Sequence, residues 1–183
     1  MNEAKIKKLV MIHTENLMNT RFRKAACAGK DCLFWAWAAA LALRKYGLRS
    51  VLQAGTCFWP RLTEEQAKER PTEADCFGYK WDPDSEISQA LVRNNCLPEV
   101  HVWTAAQGDD TGVIVYDPSS AFFPERCSAM LKLDWPGPKP PKRFWTSKMF
   151  PPPFKGIEYT PHREANIMAA LKIQELYEVL GGK

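Results

Sequence analysis

The apolar run from Leu33 to Leu43 constrains the fold of this 183-residue chain more than any other feature. Asp31 stands before the run as a residue suited to a helix N-cap, and Gly47 stands after it, where glycine favours a helix end. These signals predict a helix that begins at Asp31 and ends near Tyr46. Apolar side chains occupy every face of that helix, so we expect it to be buried at the centre of the domain.

Composition favours a single globular domain over residues 1–183. Apolar residues make up 45% of the chain, and a chain of this length buries roughly 70% of its unfolded surface. The net charge of +4 is small, so a nucleic-acid partner is not expected. The six cysteines are scattered through apolar contexts in a chain too long to depend on disulfides, which predicts that most of them are reduced.

The distribution of apolar residues predicts a cytoplasmic protein with no membrane partner. The segment from Met1 to Lys24 is charged almost throughout and carries no apolar signal core. The run from Leu33 to Leu43 is shorter than the roughly 20 residues that cross a bilayer. We expect no cofactor.

Hydrophobic periodicity and turn residues predict an α+β domain in which the buried helix packs on an antiparallel sheet. Outside that helix, the pattern predicts helices over the segment from Ile6 to Leu17, over "DSEISQALVRNN" and over 161–180, and strands over "RSVLQAG", "FGYKW", "EVHVWTAA", "VIVYDP" and "GIEY". The proline-rich segment 134–154 is unsuited to regular structure, and its aromatic residues predict a strap over the surface.

Cys32 is the residue best placed for nucleophilic chemistry. It falls in the first turn of the buried helix, where unpaired backbone N–H groups and the helix dipole favour a thiolate. A cysteine nucleophile also needs a base within hydrogen-bond reach and a third group that orients the base. Of the three histidines, only His101 lies at the centre of a predicted strand. Asp117 ends the next strand, so the three residues form a candidate triad.

The hairpin that joins these two strands bears on whether His101 and Asp117 meet. Direct opposition of the two residues requires a turn centred on residue 109, and the turn residues from Gly108 to Gly112 span that position. Opposed residues of an antiparallel pair share a face, with Cβ atoms about 5 Å apart. The spacing therefore predicts that the Asp117 carboxylate reaches the imidazole of His101.

The segments that carry these residues resemble one enzyme family. "GKDCLFWAWAAALALRKYGLRSVLQAG", "HVW" and "VYDPSS", between Gly29 and Ser119, are similar to the transglutaminase-like branch of the papain-like cysteine protease superfamily, and the likeness is nearest to small proteins of bacteria and their mobile elements. The resemblance implies a papain-like fold in which the cysteine opens a buried helix. It implies Cys32 as the nucleophile, His101 as the general base and acid, and Asp117 as the residue that fixes the imidazole. The implied activity is acyl transfer from a peptide or protein amide or ester, as a hydrolase, peptidase or amide transferase.

The chain departs from that family where an oxyanion donor is expected. Ala26 stands six residues before Cys32, where papain-type enzymes keep a glutamine. The backbone N–H of Cys32 supplies one donor, and Trp59 and Gln53 are the candidates for the second. Trp103 is a candidate for the wall of the cleft.

Three other interpretations stay open on the sequence alone. A cysteine in an apolar context is often buried and inert, so the domain can be a non-catalytic interaction module of the same fold. The aromatic and basic residues of the proline-rich segment, such as Arg143 and Trp145, also suit weak contact with single-stranded nucleic acid. A zinc site is disfavoured because no two cysteines have the paired spacing of zinc ligands, so no metal is expected.

Overall fold

A computed structural model describes the chain over residues 3–22, 31–107, 112–146 and 156–179. These residues form an α+β fold with six α-helices and a six-stranded sheet. The helices are α1 (Glu3–Thr20), α2 (Cys32–Lys45), α3 (Glu64–Glu69), α4 (Glu86–Arg93), α5 (Phe123–Leu131) and α6 (Arg163–Val179). The strands are β1 (Ser50–Pro60), β2 (Cys76–Tyr79), β3 (His101–Gln107), β4 (Val113–Asp117), β5 (Phe144–Thr146) and β6 (Glu158–Pro161). None of the described helices combines the length and the hydropathy needed to cross a membrane.

Helix α2 is the buried helix that the apolar run predicts. The Asp31 side chain accepts a hydrogen bond from the Leu33 N–H at 2.9 Å, which caps the first turn. Gly47 follows the helix with a φ of +84°, a left-handed conformation that glycine adopts without strain. Most residues of α2 are buried, and both α1 and β3 pack against it. The predicted start, end and burial of this helix are confirmed.

The sheet is antiparallel throughout, with strand order β2-β1-β3-β4-β5 and with β6 paired to β1. In the β3–β4 pair, Thr104 lies opposite Tyr116, whereas direct opposition of His101 and Asp117 would place Thr104 opposite Ile114. The predicted direct opposition of His101 and Asp117 is therefore wrong, by an offset of two residues. Side chains along a strand alternate with a period of two, so an offset of two keeps both side chains on the same face.

The proline-rich segment contains a strand that the sequence does not predict. Phe144, Trp145 and Thr146 form β5 and pair with the end of β4. The prediction of no regular structure is wrong here, because these three residues favour extended backbone and no proline interrupts them. Trp135 and Phe144 are buried in the core, and residues 147–155 lie outside the described part of the chain.

Aromatic rings make up much of the core on one face of the sheet. This cluster draws on the strands and on α5, and it comprises Cys57, Trp59, Phe77, Tyr79, Trp103, Val115, Phe123, Cys127, Trp135, Phe144 and Tyr159. Large rings packed at the density of a protein interior have little freedom to move. Polar side chains that project among them are therefore held in fixed positions.

Candidate active site

His101 and Asp117 form a buried, hydrogen-bonded pair between β3 and β4. Nε2 of His101 lies 2.7 Å from Oδ2 of Asp117, and the two side chains are 0% and 1% exposed. His101 is the first residue of β3 and Asp117 is the last of β4, so the pair lies at the end of the hairpin opposite its turn. The contact confirms that the two side chains meet, and it runs diagonally across the strands because of the two-residue offset.

Asp117 accepts hydrogen bonds on both of its oxygens. Oδ1 accepts from the N–H and the hydroxyl of Ser119 at 3.0 and 2.7 Å, and from the Ser120 N–H at 3.2 Å. Oδ2 accepts from the Tyr159 hydroxyl at 2.7 Å in addition to His101. Burial alone would raise the pKa of Asp117, but the charge of His101 and these hydrogen bonds lower it below its ordinary value. Asp117 is therefore a carboxylate at neutral pH.

Aromatic rings hold the imidazole of His101 in place. The Tyr79 ring lies nearly parallel to it, with centroids 5.8 Å apart and an interplanar angle of 12°. Phe123 meets it edge-on, with a centroid distance of 5.0 Å and an angle of 75°. Nδ1 of His101 is buried and makes no hydrogen bond of standard geometry to a described residue. The ring therefore offers Nδ1 in one fixed orientation.

Cys32 is the first residue of α2 and lies beside this imidazole. Burial alone would lower the pKa of His101, but the Asp117 carboxylate raises it and the nearby Cys32 thiol adds to the rise, so that the pKa is about 9. Since Nε2 is bound to Asp117, Nδ1 is the nitrogen that remains for the thiol. A histidine with this pKa is an imidazolium at neutral pH, which stabilises a neighbouring thiolate.

A second cysteine, Cys57, lies next to the His101–Asp117 pair. Its Sγ, a ring nitrogen of His101 and a carboxylate oxygen of Asp117 all lie within 4.8 Å of one another. Cys57 is 0% exposed, and burial raises the pKa of its thiol well above the ordinary value, with a further rise from the charge of Asp117. Cys57 is therefore a neutral thiol without access to solvent, whereas the Cys32 side chain is partly exposed.

The pairing of β1 with β3 explains why Cys57 is part of this cluster. Gly55 pairs with His101, and residues 55 and 57 of a strand point to the same face. The spacing of residues along the chain does not reveal that β1 is the neighbour of β3, so sequence reasoning missed Cys57. Cysteine, histidine and aspartate are also zinc ligands, but the Asp117 oxygens here already accept hydrogen bonds from protein donors.

The three auxiliary candidates are engaged within the fold. Nε1 of Trp59 donates to the Tyr159 hydroxyl at 3.1 Å, so this N–H supports the Asp117 network. Oε1 of Gln53 accepts from Nδ2 of Asn166 at 3.0 Å. Trp103 is 1% exposed and packs edge-on against Tyr159. These contacts give each side chain a role in the structure of the site.

Arg126 and Tyr79 lie near Cys32, and no sequence motif points to either of them. Nη1 of Arg126 donates to the Tyr79 hydroxyl at 2.7 Å. Burial lowers the pKa of Arg126, but its neighbours raise it above the ordinary value, first of all the Tyr79 hydroxyl. The charges of Cys32 and Asp31 add to the rise, so the guanidinium lies within electrostatic range of the thiol.

Comparison with known proteins does not identify a family. No protein-family model matches the chain. No curated protein and no solved structure matches it either. The likeness to the transglutaminase-like branch stays a prediction from the motifs, and the functional argument depends on the geometry of the site.

Proposed function

We propose that this protein catalyses thiol-dependent acyl transfer, with Cys32 as the nucleophile, His101 as the base and acid, and Asp117 as the residue that orients the imidazole. The observation that carries the proposal is the buried His101–Asp117 hydrogen bond beside a thiol in the first turn of a helix. That combination supplies the three groups that thiol-dependent acyl transfer needs: a nucleophile, a base next to it and a carboxylate that orients the base.

In the reactive form of the pair, a single proton is shared out so that His101 is an imidazolium and Cys32 is a thiolate. The thiolate attacks the carbonyl carbon of an amide or ester, and a bond forms between sulfur and that carbon. His101 then gives its proton to the departing amine or alcohol as the bond to the acyl group breaks, which leaves a thioester on Cys32. Water or an amine, deprotonated by His101, attacks the thioester and releases the acyl group and the thiolate.

Asp117 and the start of α2 stabilise the charges that appear during these steps. Asp117 holds Nε2 of the imidazole and stabilises its charged form, because the carboxylate stays ionised at neutral pH. The Cys32 N–H lies in the first turn of α2, where a helix has unpaired donors, and it supplies one contact to the oxyanion. The motifs shared with the transglutaminase-like branch support the same reaction class, with a peptide or protein substrate in the cytoplasm.

The proposal is tested by the rate of iodoacetamide alkylation at each cysteine as a function of pH, read by peptide mass spectrometry. We expect Cys32 to react rapidly below pH 7, because a neighbouring imidazolium favours the thiolate, which is the form that alkylation requires. We expect His101→Ala to remove this reactivity. Cys96, an exposed cysteine outside the site, serves as the internal reference thiol.

A matched variant separates the loss of the base from a general effect of losing a histidine. His13 lies on α1 against Tyr46, near the opposite end of α2, so His13→Ala should leave the rate of Cys32 alkylation unchanged.

A second experiment tests the acyl transfer itself. It measures acylation of Cys32 by p-nitrophenyl acetate and release of the acetyl group by hydroxylamine. If Cys32 reacts no faster than Cys96 at any pH, the enzyme proposal is wrong and a non-catalytic module is the better account.

A further inference from the structure

We infer that the cavity between α4 and α6 binds a free aromatic α-amino acid whose ring carries a polar atom, as the ring of tryptophan does. None of the three triad residues lines this cavity, so it is a binding site in addition to the candidate active site. The inference does not depend on the proposed function, and measurements of ligand binding alone test it.

The cavity has the size and the lining of a site for a small organic molecule. Its volume is about 380 Å³, which lies within the usual range for such sites. Its walls are largely apolar and include Trp81 from the loop after β2, Val92 from α4 and Met168 from α6. A mostly apolar wall with a few polar groups is the usual lining of a ligand pocket.

Hydrogen bonds and ring contacts hold the walls of this cavity in place. The Trp81 N–H donates to the Thr56 hydroxyl on β1 at 3.0 Å, and the Trp81 ring packs against His162, with centroids 6.3 Å apart. Nζ of Lys172 on α6 donates to the carbonyl oxygen of Asn95, just after α4, at 2.8 Å. The cavity is therefore already formed in the protein without a ligand.

Ser88 places an unpartnered hydroxyl at the inner side of the cavity. The residue is 1% exposed and lines the cavity, and its Oγ makes no hydrogen bond within the described part of the chain. Helix α4 buries this serine while it leaves Ile87 and Val92 exposed. A hydroxyl has one donor and two acceptor sites, and buried polar groups almost always have a partner. A ligand with a polar atom at its inner end supplies that partner.

Two side chains of opposite charge lie at the solvent side of the cavity. Arg93 on α4 and Glu164 on α6 both line it, and both are exposed. No ion pair joins either of them to the other or to any residue in the described ranges. A guanidinium binds the two oxygens of a carboxylate, and a carboxylate binds an ammonium group. The two side chains therefore match the carboxylate and the ammonium that a free α-amino acid carries on one carbon.

The positions of these groups along the cavity select an aromatic amino acid. Ser88 and Arg93 are five residues apart on α4, about 7.5 Å along the helix axis at 1.5 Å per residue. A head group bound between Arg93 and Glu164 leaves its side chain to run along Trp81 and Met168 toward the Ser88 hydroxyl. An aromatic side chain fills apolar walls with a large contact area. A residue inside a peptide lacks both head-group charges and does not match.

Titration of the nitrogen-15-labelled protein with L-tryptophan, followed by NMR, tests the inference. The Trp81 indole N–H signal, identified by its loss in Trp81→Phe, reports on the cavity, and its shift against ligand concentration gives Kd. We expect Arg93→Gln and Glu164→Gln each to raise Kd about tenfold, as is usual when a hydrogen bond between charged groups is lost. We expect Ser88→Ala to raise Kd about fivefold, because it removes a neutral hydrogen bond.

Two analogues of the ligand assign each charge to its partner. Tryptamine lacks the carboxylate, so Arg93→Gln should not weaken its binding. Indolepropionate lacks the ammonium, so Glu164→Gln should not weaken its binding. Glu178→Gln is the matched control for charge, because it removes a carboxylate about 20 Å further along α6, and it should leave all three values of Kd unchanged. The same spectra establish that each variant is folded.

Three results would overturn the inference. The first is a Trp81 signal that shows no saturable shift with L-tryptophan. The second is equal affinity for L-tryptophan and for N-acetyl-L-tryptophanamide, whose head group is blocked at both ends, because the cavity would then bind a side chain of a peptide.

The third contrary result is a Kd for L-tryptophan that Arg93→Gln and Glu164→Gln leave unchanged, or that Glu178→Gln raises by the same factor. Binding would then owe nothing to the two charges at the cavity. The rate of Cys32 alkylation enters none of these measurements, so the proposed function is tested separately.

Discussion

At the scale of single residues, Tyr159 connects the buried core to the candidate catalytic pair. Its hydroxyl donates to Oδ2 of Asp117 at 2.7 Å and accepts from Nε1 of Trp59 at 3.1 Å. Burial raises the pKa of Tyr159 well above its ordinary value, and the Asp117 charge adds to the rise, so the phenol stays a donor. Tyr159 is therefore a positioning residue that acts through Asp117.

We predict that Tyr159→Phe moves the acid limb of the Cys32 alkylation profile to higher pH. An Asp117 carboxylate that lacks this donor takes up a proton more readily, and the imidazolium then loses its partner. The free energy of unfolding should also fall by about 1–3 kcal/mol, because a buried Trp59 N–H is left without an acceptor. The measurements are alkylation rate against pH and urea denaturation.

Tyr116→Phe is the matched control for this prediction. Tyr116 is also buried on the sheet, but its hydroxyl interacts with Thr14 on α1. This variant should lose stability without moving the alkylation profile. A profile that stays in place in Tyr159→Phe as well would show that the phenol has only a structural role.

The sequence predicts the His101–Asp117 contact correctly, although the predicted register of the hairpin is wrong by two residues. The contact requires that the two side chains share a face and are opposed or diagonal neighbours; the observed offset of two residues preserves both conditions, whereas an offset of one would place the side chains on opposite faces. The two-residue offset was not predictable, because the turn residues between Gly108 and Gly112 accommodate more than one centre. Cys57 and Arg126 were missed because strand order and the path of α5 bring them to the site, and neither is encoded in local spacing.

At the scale of elements, the first turn of α2 sets the position of Cys32. The Asp31 side chain accepts from the Leu33 N–H at 2.9 Å, so the residue before the thiol anchors the start of the helix. Because Asp31 also lies near Arg126, its carboxylate contributes to the charge balance around the thiol.

We predict that Asp31→Ala lowers the free energy of unfolding by about 1 kcal/mol, the usual cost of losing an N-cap. Fraying of the first turn should also slow alkylation of Cys32, because the thiol loses its fixed place beside His101. Asp31→Asn keeps an oxygen that can accept from Leu33, so it should retain most of the stability. Urea denaturation of both variants makes the comparison, and an equal loss in Asp31→Asn would show that charge, not capping, is responsible.

Local signals account for the elements that were predicted and also for those that were missed. The long apolar run and its cap were sufficient for α2, because burial on all faces and a capping residue point to the same structure. Helix α3 carries a capping box between Thr63 and Gln66, a signal that is present in the sequence but lies in a segment with no buried residues. Helix α5 begins with a proline near its N-terminus, which is also consistent with a loop.

At the scale of the whole molecule, Arg61 ties distant parts of the chain to the end of β1. Its guanidinium is 0% exposed and donates to the carbonyl oxygens of Ala74 and Asp134 at 2.8 and 2.9 Å. It also donates to the carboxylates of Glu73 and Asp134 at 2.6 and 3.2 Å. Asp134 begins the segment that leads through Trp135 to β5, so one buried cation joins that segment to the sheet.

We predict that Arg61→Lys lowers the free energy of unfolding by about 3 kcal/mol, since an ammonium keeps the charge but cannot reproduce the fork of donors. Arg70 provides the control, because it pairs with the same two carboxylates, Glu73 and Asp134, from an exposed position. Arg70→Lys should change stability by no more than about 0.5 kcal/mol, as is usual for exposed pairs. Urea denaturation measures both variants. If the two substitutions cost the same, the carboxylate contacts alone explain the effect. The buried bonds to Ala74 and Asp134 would then contribute nothing to holding the segment that carries β5 against the sheet.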